Sequence, residues 1–583
     1  MNKKLSILIL STILVTIYFI VVNFSKQKEE VIFRSKNDFS LANFCRSGKS
    51  LKFQDLPEAQ LLANIGNSSW HITTKSDSAQ IYFNQGLNAL HSFWDVEAFR
   101  AFKKGIQFDT TNAMLYWGLA RSISQTAGEL PEIKKNASEN AIKFSKNENI
   151  ENRKFIEAYY ELKKGRKAYK KAMEKYIINY PKQLDAKLFY ASFLSSGVST
   201  YLPNGIPTEE NLRGQELLKE VFISNPKSSA LHHYWIHAME NSTTPEKALE
   251  SAKTISSLAP SSGHITHMPG HIYYRTGNYE KANETFYNSL KVDSIYMSKS
   301  KVGSINNWNY IHNLDYLIAS CAESGKYNEG LKWAKRISKT ALNRARRMSR
   351  GSGYILFGAY TSIPRFHIRY GEWEKASKSI DSLIELVPWN GSKAVQYFKG
   401  IQQYANGMHN LTQGNIKKAN LNLNKLKEIK DDLQNNQSKI SADWYYRYAL
   451  KILGVNTQEL GALINYENGE KLLAIKQLKN ACTAEKKIGY WEPPHYSRPV
   501  LESLALLYTN ENDKINAIKT YNKALKLRPK NGHSQFAMAQ ALEALSTNSK
   551  DVKKAYQQFL IYWINADNFN NELSYAKKYI KEH

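Results

Sequence analysis

His233 and His237 stand four residues apart, and His267 and His271 repeat that pair 34 residues downstream. His264 adds a fifth imidazole, and six of the chain's 14 histidines fall between His232 and His271. Imidazole has mediocre helix propensity, and its nitrogens demand partners when buried, so clustering on a fixed period points to a polar site. Several imidazoles beside a carboxylate make an ordinary site for zinc, copper or iron. On a helix, residues four apart share a face with Cβ atoms about 5–6 Å apart. Packed helices lie about 8–10 Å apart, so two such pairs on neighbouring helices can converge on one centre. His233, His237, His267 and His271 are therefore the candidate metal ligands. Glu240, one turn after His237, lies on a compatible face to ligate or to orient a ring. The same spacing also fits a metal-free polar network for an anionic ligand or peptide, or a structural network bonded to backbone and carboxylates. His232, next to His233, must point elsewhere on the helix and reads as packing or surface. The glutamate that stands between paired histidines in the common zinc-protease helix is absent.

Helix pairs are the elements that must hold these side chains. Small residues recur where two helices would touch, with an aromatic to fill between units: Gly86, Ala98, Phe102 and Gly105; Gly270, Tyr273, Gly277, Ala282 and Phe286. Further copies are marked by Gly325, Gly371, Gly414 and Gly469, and by Ala505, Tyr508, Ala517, Tyr521, Ala524 and Pro529. Two units phase as about 229–262 and 263–296, which puts both histidine pairs on first helices. Self-similarity on this scale is the mark of an α-solenoid, whose units bury their faces only by stacking. The markers resemble the tetratricopeptide repeat family over roughly residues 79–580.

That resemblance implies an all-α superhelix of helix pairs whose first helices line a concave groove. The expected groove lining is Glu240, His264, Tyr273, Arg275, His312, Asp315, Glu492 and Tyr496, the last two brought over by the coil of the solenoid. Pro269 should distort its helix unless it falls in the first turn. A narrower likeness to a group of poorly characterised bacterial tetratricopeptide proteins is carried by 113–120, 233–240, 263–273, His312-Asn313 and Glu492-Pro493-Pro494. It implies shared architecture and carries no reaction.

The chain has 583 residues, too many for one ordinary compact core unless it grows by stacking. Its 36 tyrosines and 11 tryptophans argue against disorder. An uncharged apolar run at 5–24 follows Lys3 and Lys4 and is long enough to span a bilayer. No small-residue cleavage site follows it, so an anchor is favoured over a cleaved signal. The expected layout is a cytoplasmic tail at 1–4, an anchor at 5–24 and a stem and lead-in at 25–78. Helix pairs, degenerate from about 113, follow at 79–226, then histidine-rich units at 227–345 and C-terminal units at 346–583. The bulk would lie outside the cytoplasm, on the periplasmic side of a bacterial inner membrane. Cys45, Cys321 and Cys482 form neither a disulfide framework nor a zinc motif. The formal charge of +28 comes with no nucleic-acid motif, so an acidic peptide, lipid or polysaccharide is the expected partner class. No phosphate-binding loop, nucleophile elbow or kinase signature is present. The first reading is a membrane-anchored scaffold with a histidine-lined groove. The alternative is a metal-dependent enzyme, hydrolytic or oxidative, on the same solenoid, with Tyr273 or Arg275 on substrate.

Overall fold

A computed structural model describes residues 56–583 apart from 124–129, 196–199, 203–204, 305–306, 340–357, 387–392, 436–443, 495, 546–547 and 568–570. It is built of α-helices: α1 Asp77–His91, α2 Asp95–Phe108, α3 Ala113–Ser122, α4 Pro131–Phe144, α5 Ile150–Tyr160, α6 Arg166–Asn179, α7 Leu184–Ser195 and α8 Glu209–Ser224. The central set is α9 Ser229–Glu240, α10 Leu249–Leu258, α11 Gly263–Arg275, α12 Tyr279–Ser300, α13 Trp308–Glu323 and α14 Tyr327–Ile337. Next come α15 Ser362–Arg369, α16 Trp373–Leu386, α17 Lys393–Thr412, α18 Ile416–Asn435, α19 Trp444–Glu467 and α20 Lys471–Lys486. The chain closes with α21 Val500–Asn510, α22 Lys514–Leu527, α23 Gly532–Ala544, α24 Ser549–Tyr562 and α25 Asn571–Glu582.

Successive helices pack on one another, and from α11 to α22 every second connection is a tight turn of three residues. Gly277, between α11 and α12, has φ +74°, a left-handed conformation that a Cβ disfavours, and Gly325, Gly371, Gly414 and Gly469 repeat it in the equivalent turns. Gly270 serves the packing instead: a Cβ there would stand 2.3 Å from the Phe286 ring of α12. Pro269 was expected to distort α11, yet the helix runs unbroken across it from Gly263 to Arg275. The N-termini of α9 and α11 are each capped by a serine, Ser228 and Ser262, whose hydroxyl accepts from the backbone N–H three residues on.

The lead-in, expected as part of a stem, packs onto the first helices from residue 59 onward. Trp70 is 2% exposed, and its indole donates to Asn152 Oδ1 at 2.9 Å. The run at 5–24 and Cys45 lie outside the described residues. Among the described residues no helix is long and apolar enough to cross a membrane.

Two large hydrophobic cores meet at α11: Ile265, Met268 and Ile272 belong to the N-terminal one, Tyr274 to the C-terminal one. Both ends of the chain fold back over this junction. From the N-terminal side, Ser261 N donates to Asn64 O at 3.0 Å and Trp308 Nε1 to Phe93 O at 3.1 Å. From the C-terminal side, Trp563 Nε1 donates to Glu323 O at 2.9 Å. The first helices α9, α11 and α13 are therefore enclosed rather than left facing an open groove.

Candidate metal centre

α9, α11 and α13 lie side by side and present imidazoles at four-residue spacing. Their ligating atoms gather as two triads, His233, His237 and His264, and His267, His271 and His312, each with its atoms within 4.8 Å of one another. The four histidines expected to share one centre are thus divided between two groups. The reason is lateral offset: each pair on one helix is completed by a single histidine from its neighbour, His264 of α11 for the first and His312 of α13 for the second.

In the first triad every Nδ1 is engaged. His233 Nδ1 meets His91 O at 2.5 Å, His237 Nδ1 meets Glu240 Oε1 at 2.7 Å, and His264 Nδ1 meets Asn309 Oδ1 at 3.0 Å. The Nε2 atoms of all three are buried and have no hydrogen-bond partner among the described residues. A carbonyl and a carboxylate only accept, so His233 and His237 carry their proton on Nδ1 and aim a bare lone pair from Nε2. The same holds for His264, because Asn309 spends its amide N–H on Asp293 Oδ2 at 2.7 Å and turns its carbonyl to the ring.

In the second triad two rings are held through Nδ1. His267 Nδ1 is bonded to Asn313 Oδ1, whose amide donates to Ser289 Oγ at 2.6 Å and Asp293 Oδ2 at 3.2 Å. His271 Nδ1 is bonded to Glu240 Oε2. Glu240 thus joins the two triads, one carboxylate oxygen to each. Glu492, from the segment between α20 and α21, brings Oε2 to 3.8 Å from both His271 Nδ1 and His312 Nε2.

Burial opposes the charge on most of these rings. Burial pushes His233, His267 and His312 well below the usual imidazole range, helped by their neighbouring imidazoles. His264 falls to about 3, and burial lowers His271 despite the opposing pull of Glu240. Burial disfavours the Glu240 charge, but His271 and His237 overcome it and hold the carboxyl well below its usual range. Glu492 keeps 28% of its side-chain surface open, yet burial of its carboxyl, and the Glu240 carboxylate beside it, push it well above. Burial also raises Asp293, to about 6, against three amide donors from Asn307, Asn309 and Asn313.

An aromatic roof covers the site. The Phe93 ring lies 4.6 Å from that of His233, 5.3 Å from His237 and 5.7 Å from His264. Phe93 adopts φ +52°, left-handed for a residue with a Cβ, and its ring caps the first triad. Trp308 packs at 5.0 Å on His264 and 5.5 Å on His312.

The other expected lining residues are dispersed. Arg275 braces the end of α9, donating to Glu240 O at 2.8 Å and Ser242 O at 3.2 Å. Tyr273 lies under Lys281, away from the imidazoles. Asp315 pairs with Arg365 at 2.8 Å. Tyr496 donates to Glu459 at 2.5 Å in the C-terminal core, whereas Glu492 of that segment reaches the centre. His232 is bonded on both nitrogens, to Ser251 Oγ and Pro226 O, each at 2.9 Å. Sequence reasoning placed His312 on the groove wall rather than among the ligands. It stands 45 residues after His267, because the 22-residue α12 lengthens that unit. The Trp308, His312 and Tyr316 stripe at four-residue spacing was the available signal. Asp293 and Phe93 carried none, since each acts through a contact distant in sequence.

Residues 499–531, the α21–α22 pair, match the family model described as Tetratricopeptide repeat. No curated protein matches the chain. Among solved structures, the human IFIT1 dimer with m7Gppp-AAAA is 14% identical, covers 85% of this chain and 91% of its own, and has a TM-score of 0.30. The Cut9–Hcn1 hetero-tetramer of APC/C is 12% identical with coverages of 87% and 96% and a TM-score of 0.25. The TPR domain of P58(IPK) is 12% identical, with coverages of 64% and 94% and a TM-score of 0.20.

Proposed function

We propose that this tetratricopeptide-repeat protein is a metal-holding scaffold, in which the solenoid encloses a transition metal bound by His233, His237 and His264. The observation that carries the reading is the set of three buried, partnerless Nε2 atoms, each on a ring fixed through Nδ1. An imidazole that donates its second nitrogen to a carboxylate or carbonyl is the usual arrangement of a metal ligand. Leaving three buried polar atoms unsatisfied would otherwise cost about 1–3 kcal/mol each. An all-imidazole set suits zinc, copper, iron or nickel, and zinc and copper are the ions to offer first.

The repeats serve as a protein-binding scaffold around this centre. The anchor at 5–24 and the excess of basic residues support a place at a membrane, with the repeats outside the cytoplasm and an acidic peptide, lipid or polysaccharide as partner. A second reading, a metal-dependent enzyme, is favoured by one feature: three ligands leave a coordination position open, and the solvent-reached Glu492 stands beside the cluster.

The test is elemental analysis of the full chain in detergent, purified without affinity-tag metals and then offered zinc or copper. The expected result is retained metal that falls by one equivalent in His264→Ala. Wild-type protein that takes up neither ion would overturn the reading.

A further inference from the structure

The first triad does not use up the donors in this centre. His267 Nε2 and His271 Nε2 face each other at 2.6 Å. Both rings are protonated on Nδ1, because Asn313 presents its carbonyl to one and Glu240 its carboxylate to the other. Two proton-free lone pairs cannot hydrogen-bond to each other. At that separation, in a site of low dielectric, they repel unless a cation lies between or beside them. His312 stands against the same pair, its ring centroid 4.7 Å from that of His267 and 5.7 Å from that of His271.

We propose that His267, His271 and His312 hold a second transition-metal ion, so that the solenoid encloses a two-ion centre in which Glu240 links the triads. This rests on the reading of the centre as metal-binding. Metal–imidazole bonds of about 2.0–2.1 Å in a tetrahedral site put two ligating nitrogens about 3.3 Å apart, so loading has to part the facing Nε2 atoms by roughly 0.7 Å. The triads are neighbours: the rings of His264 and His267 are 5.7 Å apart, and those of His237 and His271 are 6.0 Å apart. Glu240 bonds His237 with one oxygen and His271 with the other, which fixes the two sets relative to each other. Glu492 Oε2 stands 3.8 Å from His312 Nε2 and groups within 4.8 Å with ligating atoms of His237 and Glu240, so it lies between the two sets. Imidazole suits several late transition metals, zinc and copper among them, and separate titrations with each ion distinguish these two.

Native mass spectrometry of the full chain, titrated with zinc and in parallel with copper(II), reads the stoichiometry directly. The expected result is two ions per wild-type chain, one in His264→Ala, one in His312→Asn and none in the double variant. One ion in wild type that His312→Asn retains and His264→Ala loses would overturn the second site while leaving the first. No ion in wild type would overturn both. Electron paramagnetic resonance of the copper-loaded protein reads proximity and does not depend on any variant folding. Two ions in one centre couple, so the wild-type signal per copper should fall well below that of a mononuclear site. Full, unbroadened intensity from two coppers would overturn the shared centre.

Discussion

At the residue scale, the centre depends on which nitrogen of each ring carries the proton, and that is decided one step away from the ring. The Asp293 carboxylate, buried in α12, takes the amide donors of Asn309 and Asn313 and so turns their carbonyls towards His264 and His267. Asp293→Asn removes that bias, since its amide can offer a donor where an acceptor stood. Outer ligands of this kind are typically worth about 10–100-fold in metal affinity, and that loss should appear in competition against a chromophoric chelator. His232→Ala should leave affinity unchanged, because both its nitrogens are already engaged by Ser251 and Pro226. The histidine pairs and Glu240 were legible from spacing alone. Asp293 was not, because its contacts to α13 cross between helices and leave no periodic trace.

At the element scale, α9, α11 and α13 act as one rack, and the turn between α1 and α2 is its roof. Phe93 holds a left-handed backbone there while Trp94 N bonds back to Ala89 O at 2.8 Å and Trp308 clasps the Phe93 carbonyl. Phe93→Ala keeps the ligands but uncovers the first triad. Metal removal by an external chelator should quicken several-fold while the loaded stoichiometry stays the same; an unchanged rate would mean the ring is not the barrier. Helix pairs and their turns were readable because glycines mark each tight turn at a constant place in the unit. The division into two triads was not, because it depends on the lateral offset of neighbouring helices and on the long α12.

At the scale of the whole molecule, closure of the coil sets burial. A buried cluster ties the centre's third helix to the C-terminal units: Arg369 pairs with Glu323 at 2.9 Å and with Glu502 at 3.0 Å, and Arg528 pairs with Glu323 at 2.8 Å. Arg369→Met takes one arginine from each of two buried carboxylates but leaves Arg528 on Glu323 and Arg498 on Glu502, so it should destabilise the fold in chemical denaturation by less than the ~3–5 kcal/mol of a fully stranded buried charge. Burial opposes the charge on Glu502, but Arg369 and Arg498 overcome it and hold the carboxyl at about 2. A carboxyl depressed in the folded state stabilises above its unfolded value near 4.3 and loses that contribution as pH falls towards 2. Glu502 should therefore account for a decline on the order of 3 kcal/mol across that window, absent in Glu502→Gln. Superhelical closure was not legible in the sequence, since its contacts join residues as far apart as Glu323 and Trp563. An open groove was the natural expectation, and the buried centre is its correction. The most direct test is anomalous scattering from crystals of the zinc-loaded protein, recorded above and below the zinc edge. The account predicts a peak about 2.1 Å from the Nε2 atoms of His233, His237 and His264, with a second among His267, His271 and His312. Maps without a peak at either triad would contradict it.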